Sequence, residues 1–219
     1  MPLAGKGMLL TSMDIDAADE AEFNRWYNRE HLEERVAIPG FLEARRYVAH
    51  KASPKYLCLY STATFDVLDS AAYRAKLANP TDWSVETMAR FQNMIRGVAR
   101  ITISRGTGRG AVLGLVRLRP QADSADALHE TVRDQLDPGT RDGIISMHLI
   151  ENDPALSKPL APNSSTTGAG DWFVLIDGTN IGAIEAAIAA CSAAVKSAVV
   201  SSGIYRLMWD LAHSDISAA

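Results

Sequence analysis

"PGFLEARRYVAHKASPKYLCLYSTATF", residues 39–65, decides how this chain folds. Pro39 and Gly40 stop whatever helix precedes them, because proline disfavours helical geometry at Ile38 and glycine supplies a turn. "FLEARRYVAH" (41–50) and "KYLCLYSTATF" (55–65) then read as two strands joined at the Ser53-Pro54 turn. Alternation on the first strand groups Arg45 with Phe41 and Tyr47, and Arg46 with Leu42 and Val48. On the second it groups Tyr56, Cys58 and Tyr60 opposite Leu57 and Leu59.

Outward from this hairpin the pattern is regular. Upstream lie a strand, "GMLLTSMDI" (7–15), and a helix over about 19–36, with Asp19 as its N-cap and Glu22 as capping-box partner. Downstream, "DVLDSAAYRAKLANP" (66–80) is a helix ended by Pro80, "TDWSVETMARFQNM" (81–94) gives a further helical turn or two, and "RGVARITIS" (96–104) is a strand. The order is strand, helix, strand, strand, helix, strand. It recurs as "AVLGLVRLRP" (111–120), "DSADALHETVRDQL" (123–136), "DGIISMHLIE" (142–151), "DWFVLIDG" (171–178), "IGAIEAAIAACSAAV" (181–195) and "VVSSGIYRLMWDL" (199–211). The linker between the copies is "SRGTGRG" (104–110); a second loop, 152–170, is expected to be mobile from its Pro, Ser and Gly content.

Each copy is therefore a ferredoxin-like β-α-β-β-α-β unit, the first spanning 1–105 and the second 106–219. Such a unit leaves one sheet face bare, and packing the two sheets face to face covers both. The expected class is α+β.

Composition narrows the function. A net charge of -4 and scattered basic residues argue against nucleic acid or an anionic membrane as partner. Cys58 and Cys191 sit in apolar segments without metal-ligand spacing, as free thiols of a cytoplasmic protein would. No leader or membrane span is legible, since the alanine-rich run near 181–200 carries Glu185 and Lys196. No metal site, phosphate loop, dinucleotide fingerprint or serine-nucleophile elbow is present.

The helix in "EFNRWYNREHLEER" (22–35) carries the chemistry. At ~100° per residue, Trp26, Glu30, Phe23, Glu34, Tyr27 and His31 fall within an arc of about 140°, with both glutamates in its middle and Leu32 and Val36 opposite. Solvated glutamates would be ordinary, but turning the helix over would expose three aromatics together. The expectation is a pocket at its C-terminal half. Buried ionisable groups need partners, and Arg35, Arg45 and Arg46 are at hand. Tyr47, Tyr60 and Trp83 are candidates for the pocket wall, with Trp83 placed as a lid after the Asn79-Pro80 break. His148, in the second copy's counterpart of Arg45's place, is expected at the surface.

"FNRWYNREHLEERVAIPGFLEARRY" followed by "KYLCLYSTATFDVLDSAAY" resembles the dimeric α/β-barrel superfamily, and within it the EthD-like proteins, which carry an aromatic pair and then a histidine on the first helix. Here these are Trp26, Tyr27 and His31. The resemblance covers about residues 7–104; over 110–219 it is architectural only, with His129 lacking aromatic companions, so the second unit is expected to be scaffold. It implies an intrachain barrel with ligands bound between sheet and helices. It also implies an association of relatives that would make a homodimer natural. Members include cofactor-free monooxygenases, isomerases, cyclases and haem enzymes, and no proximal haem histidine is evident here.

The reading that results is a cofactor-free enzyme acting on a small hydrophobic or aromatic carbonyl-type molecule, by isomerase-, lyase-, cyclase- or monooxygenase-type chemistry. His31 would move a proton, Glu30 or Glu34 would tune it, and Arg45 or Arg46 would hold an oxyanion. Phe23, Trp26, Tyr27, Tyr47, Tyr60 and Trp83 would bind the substrate. The alternative is a non-catalytic small-molecule binding or accessory protein.

Overall fold

The computed structural model describes residues 3–158 and 168–216; the central part of the 152–170 loop lies outside them. Eight strands form one closed barrel. In chain order they are β1 (Gly7–Asp14), β2 (Phe41–Lys51), β3 (Tyr56–Thr62), β4 (Gln92–Gly106), β5 (Val112–Leu118), β6 (Ile144–Asn152), β7 (Trp172–Gly178) and β8 (Val199–Ala212). The helices are α1 (Glu20–Trp26), α2 (Leu32–Val36), α3 (Ala71–Ala78), α4 (Asp82–Met88), α5 (Ala125–Gln135), α6 (Ile181–Ala194) and the short α7 (His213–Ile216).

Around the barrel the order is β1-β3-β2-β8-β5-β7-β6-β4. The first four strands make a sheet ordered β4-β1-β3-β2, and the last four make its counterpart, β6-β7-β5-β8. These are two ferredoxin-like units in one chain. They are stitched by antiparallel pairing of β2 with β8 and of β4 with β6, which leaves neither sheet an open edge. Arg45 faces Leu59 on β3 as His148 faces Leu175 on β7, so the two residues occupy equivalent places in the two units.

Alternation along the strands sorts the core into three clusters. The inward-facing residues Met8, Leu10, Leu57, Leu59, Leu113, Ile150, Phe173 and Leu175 fill the barrel. The outward residues of the first sheet pack under α1 and α2, and those of the second under α5 and α6. Several pairings shift register, and one shift bears on the site. A bulge between Phe41 and Glu43 puts Phe41 under the helices with Tyr60, away from Arg45 and Tyr47, which point into the barrel.

Residues 20–36 form a continuous helical segment, but Tyr27–His31 makes one π turn between α1 and α2. A π turn inserts one extra residue into an α-helix, so every later side chain is carried round by about 100°. The buried stripe is Phe23, Trp26, Tyr27, then His31, Leu32, Arg35 and Val36. Leu32 and Val36 therefore face the core, contrary to the regular-helix projection, and Glu30 and Glu34 are moved from the middle of the face to its edge. The expected capping box is not formed: the Asp19 side chain makes no cap bond and pairs with Arg90 at 3.1 Å, and Glu22 accepts from the Trp83 indole at 2.8 Å. The segment ends as expected at Pro39 and Gly40, whose φ of +91° suits glycine.

Candidate functional site

The site begins with His31. The π turn lays its ring flat on Trp26, centroid to centroid 4.0 Å, with Tyr27 edge-on at 5.1 Å and Tyr60 of β3 edge-on at 6.3 Å. The imidazole is 8% exposed, and its Nδ1 has no hydrogen-bond partner among the described residues. The Tyr60 hydroxyl and Nη1 of Arg35 are likewise buried and unpartnered.

Burial pushes the imidazole well below its ordinary 6.5, and the Arg35 and Arg46 cations push it further in the same direction. His31 is therefore neutral at pH 7. Burial, with Cys58 and Tyr27 close by, pushes the Tyr60 phenol well above 10, so it remains a donor. Arg35 influences both groups. A neutral imidazole, a phenol donor and a cation thus share this region, each with a buried polar atom unsatisfied. The cost of that is of the order of 1–3 kcal/mol per group. Trp209 of β8, paired across the sheet with Arg46, adds a buried, unpartnered indole N–H to the same helix-covered face.

The other expected site residues separate into groups. Phe23, Trp26, Tyr27 and Tyr60 join His31 in one cluster. Arg46 lies 4.0 Å over the Tyr27 ring and 5.1 Å over Phe23, and donates to Asn24 at 2.7 Å and Asn28 at 3.3 Å. It clamps the helix to the sheet through both terminal nitrogens, while its Nε is buried without a partner among the described residues. Arg45 and Tyr47 are on the other side of the sheet, inside the barrel. Trp83 is on α4, its indole turned to Glu22 and its ring under Arg25.

Neither glutamate orients the imidazole. Glu30 Oε1 accepts from Trp26 Nε1 at 3.1 Å, Thr81 Oγ1 at 2.6 Å and Ser84 Oγ at 3.1 Å, while Glu34 pairs with Lys76 at 3.4 Å. Both tie the helix to the α3–α4 region. That answers why carboxylates border the aromatic stripe.

Arg35 is the functional candidate that the regular-helix projection left outside the stripe. Its signal was present in the spacing: Phe23, Trp26, Tyr27, Leu32 and Val36 cannot share one α-helical face, because Tyr27 and Leu32 are five residues apart. An inserted residue resolves the mismatch and brings Arg35 inward.

A second buried polar cluster occupies the barrel interior. Arg45 pairs with Glu43 at 2.8 Å and lies 3.7 Å from Asp177, and His148 Nε2 is 3.9 Å from the same Asp177 oxygen. Contrary to a surface position, His148 is fully buried, its ring nitrogens bonded to Ser104 at 2.9 Å and Ser146 at 3.0 Å. The linker closes this end of the barrel: Gly110 N–H donates to Asp177 at 3.3 Å, and Arg109 bridges Glu43 and Asp210. Burial raises Asp177 to about 6 against the pull of Arg45, and burial with Arg45 lowers His148 to about 3. Burial pulls Arg45 down, but Tyr47, Glu43 and Asp177 hold it above its ordinary range.

Two open clefts lie elsewhere. One is lined by Arg119, Pro120, Pro154 and Asp171, the other by Lys51, Glu185, Ile188 and Ser202; neither includes a residue of the 20–36 segment. The pocket expected at the C-terminal half of this segment is not among these clefts, and His31 is buried. Among the described residues no group of His, Cys, Asp and Glu has the arrangement of a metal site, and no helix is long and apolar enough to cross a membrane.

No protein-family model matches the chain, and no curated protein sequence matches it. Solved structures do. An anthrone oxidase-like protein aligns with a TM-score of 0.68 over 95% of this chain and 93% of its own, at 8% identity. A candidate monooxygenase from Lactobacillus acidophilus NCFM aligns with a TM-score of 0.56 over 95% and 94%, at 12% identity. A heme-binding protein from Thermus thermophilus aligns with a TM-score of 0.54 over 100% and 96%, at 9% identity. The chain shares the dimeric α/β-barrel fold with these proteins, both ferredoxin-like units in one polypeptide. At such identities the likeness is one of fold.

Proposed function

We propose that this protein is an enzyme that moves a proton on a small hydrophobic or aromatic carbonyl-type molecule, with His31 as the base. The observation that carries the reading is that the His31 and Tyr60 rings meet edge-on at 6.3 Å, that Arg35 acts on both, and that His31 Nδ1, the Tyr60 hydroxyl and Arg35 Nη1 are each buried without a hydrogen-bond partner among the described residues. Each suits one part of a deprotonation beside a carbonyl. The neutral imidazole accepts the proton. The Tyr60 O–H donates to the oxygen on which negative charge gathers, and Arg35 offsets that charge. The new anion in turn favours the imidazolium that burial alone disfavours, so base and oxyanion support each other inside the site. Trp26, Tyr27 and Phe23 supply the apolar wall. Arg35 takes the anion-holding role expected of Arg45 or Arg46.

The fold neighbours described as anthrone oxidase-like and as a candidate monooxygenase are in keeping with an enzyme. Partners beyond the small molecule, including a second copy of the chain, are not needed by this reading.

One observation favours a second reading, a non-catalytic binder of the same class of molecule. Glu30 is bonded to the α3–α4 region and Glu34 pairs there with Lys76, and neither is hydrogen-bonded to the imidazole. The two readings separate by turnover. Aromatic and lactone-type carbonyl compounds that bind, as detected by quenching of tryptophan fluorescence, would be followed for solvent deuterium incorporation by NMR. The enzyme reading expects exchange that His31→Gln abolishes with affinity retained. Binding without exchange in the wild type would establish the binder.

A further inference from the structure

We propose that residues 70–89, carrying α3 and α4, form a gate over His31, and that Glu30 is its latch. The inference rests on the reading of His31 as a ligand-facing group, because a closed site of that kind needs a way in.

The arm abuts two residues that border the site, Phe41 and Trp26. On α3, Tyr73 packs on Phe41 at 5.6 Å, and Phe41 lies 6.4 Å from Tyr60. On α4, the fully buried Ser84 accepts a hydrogen bond from the Trp26 indole at 3.2 Å, and Trp26 is the plate on which His31 lies. Moving the arm therefore bares Phe41, which borders Tyr60, and releases the Trp26 indole together.

The arm is also lightly held. Tyr73 is the buried residue of α3, and Ser84 and Thr87 are those of α4, while Val85 faces solvent at 51% exposure. Its flanks are firmer. Phe65 and Leu68 are buried before it, and Phe91 after it meets Phe23 edge-on at 5.8 Å and Trp26 edge-on at 6.1 Å. Leu77, Trp83 and Met88 pack against the core beside Tyr73 but are only half-buried, so the arm opens at lower free energy than the fully buried sheet beneath it.

What closes it is polar. One oxygen of Glu30 gathers Thr81 and Ser84 from the arm and Trp26 from the site. The Thr81 hydroxyl caps α4 as well, accepting from the Ser84 backbone N–H at 3.0 Å. Lys76 to Glu34 and the Trp83 indole to Glu22 are further, more exposed ties. Charge-assisted bonds of this kind weaken when the carboxylate becomes an amide.

The test is the reactivity of individual histidines toward diethyl pyrocarbonate, read residue by residue by mass spectrometry on the full chain. Exposed His50 reports the reagent and His148, sealed in the barrel, reports global opening. Glu30→Gln should raise the His31 rate about tenfold, with His50 and His148 unchanged. An unchanged His31 rate, or one that rises together with His148, overturns the gate. If Glu30→Gln does not fold, hydrogen exchange in the wild type decides. Amides of 71–88 should exchange ahead of those of β1 and β3, and arm amides as protected as those strands would overturn it equally. Neither readout requires turnover, so failure of the proton-transfer reading is distinguishable.

Discussion

Arg45→Met separates the barrel-interior cluster from ordinary core packing, because its cost should depend on pH. Arg45 serves Glu43 at 2.8 Å and Asp177 at 3.7 Å, all three buried. Removing one partner of a buried pair costs roughly 3–5 kcal/mol. Glu43 keeps Arg109, so the orphan is Asp177. Even with Arg45 in place, Asp177 is raised from 3.8 to about 6, a difference of about 2 units, or about 3 kcal/mol already standing against its ionised form. Without the cation its pKa rises further. A carboxylate whose folded-state pKa is raised binds a proton on folding, so the variant gains stability as pH falls through that value toward 3.8. His148 acts in the same sense: lowered to about 3 partly by Arg45, it moves back toward 6.5 in the variant and loses less stability in acid. The other groups facing the cluster are Tyr47, Arg109 and Asp210. Urea unfolding should give a loss of about 4 kcal/mol at pH 8 that falls to about 2 kcal/mol at pH 5. A loss equal at both values, or larger at pH 5, would refute the electrostatic account.

Leu32→Ala should cost about 2–4 kcal/mol in the same assay, because the π turn buries Leu32 completely; a loss below about 0.5 kcal/mol would place it outside, as a regular helix would. Tyr60→Phe removes a buried hydroxyl without a partner, so stability should stay within about 1 kcal/mol or rise, while any turnover should fall by tenfold or more. Loss of stability with turnover intact would assign Tyr60 to the core alone. Arg46→Lys keeps the charge but loses the flat stack on Tyr27 and the fork to Asn24 and Asn28, and should lower the melting temperature by several degrees.

The barrel was legible because it rests on periods that the chain repeats. Two strands around Ser53-Pro54, a helix stop at Pro39-Gly40 and the same order of elements after residue 110 leave two sheets to be joined. How they join was less visible, since the β2–β8 and β4–β6 pairings are set by long-range geometry. The site was legible in part. Trp26, Tyr27, His31 and Tyr60 do meet, as the aromatic stripe and the strand alternation indicated. The roles of the charges were not, for one local reason. A single inserted residue at Tyr27–His31 turns Arg35 inward and Glu30 and Glu34 to the rim, and it responds to burial of Leu32 and Val36 more than to any propensity. The bulge near Phe41 similarly broke the pairing of Phe41 with Arg45 that strict alternation implies.

The most direct test of the site is an NMR titration of the His31 ring in the wild type and in Arg35→Gln. The account predicts a neutral imidazole with a pKa well below 6.5, rising toward it when Arg35 is replaced. A value near 6.5 that ignores Arg35 would mean that His31 is a solvated residue at a helix surface, and the proposed base would be withdrawn.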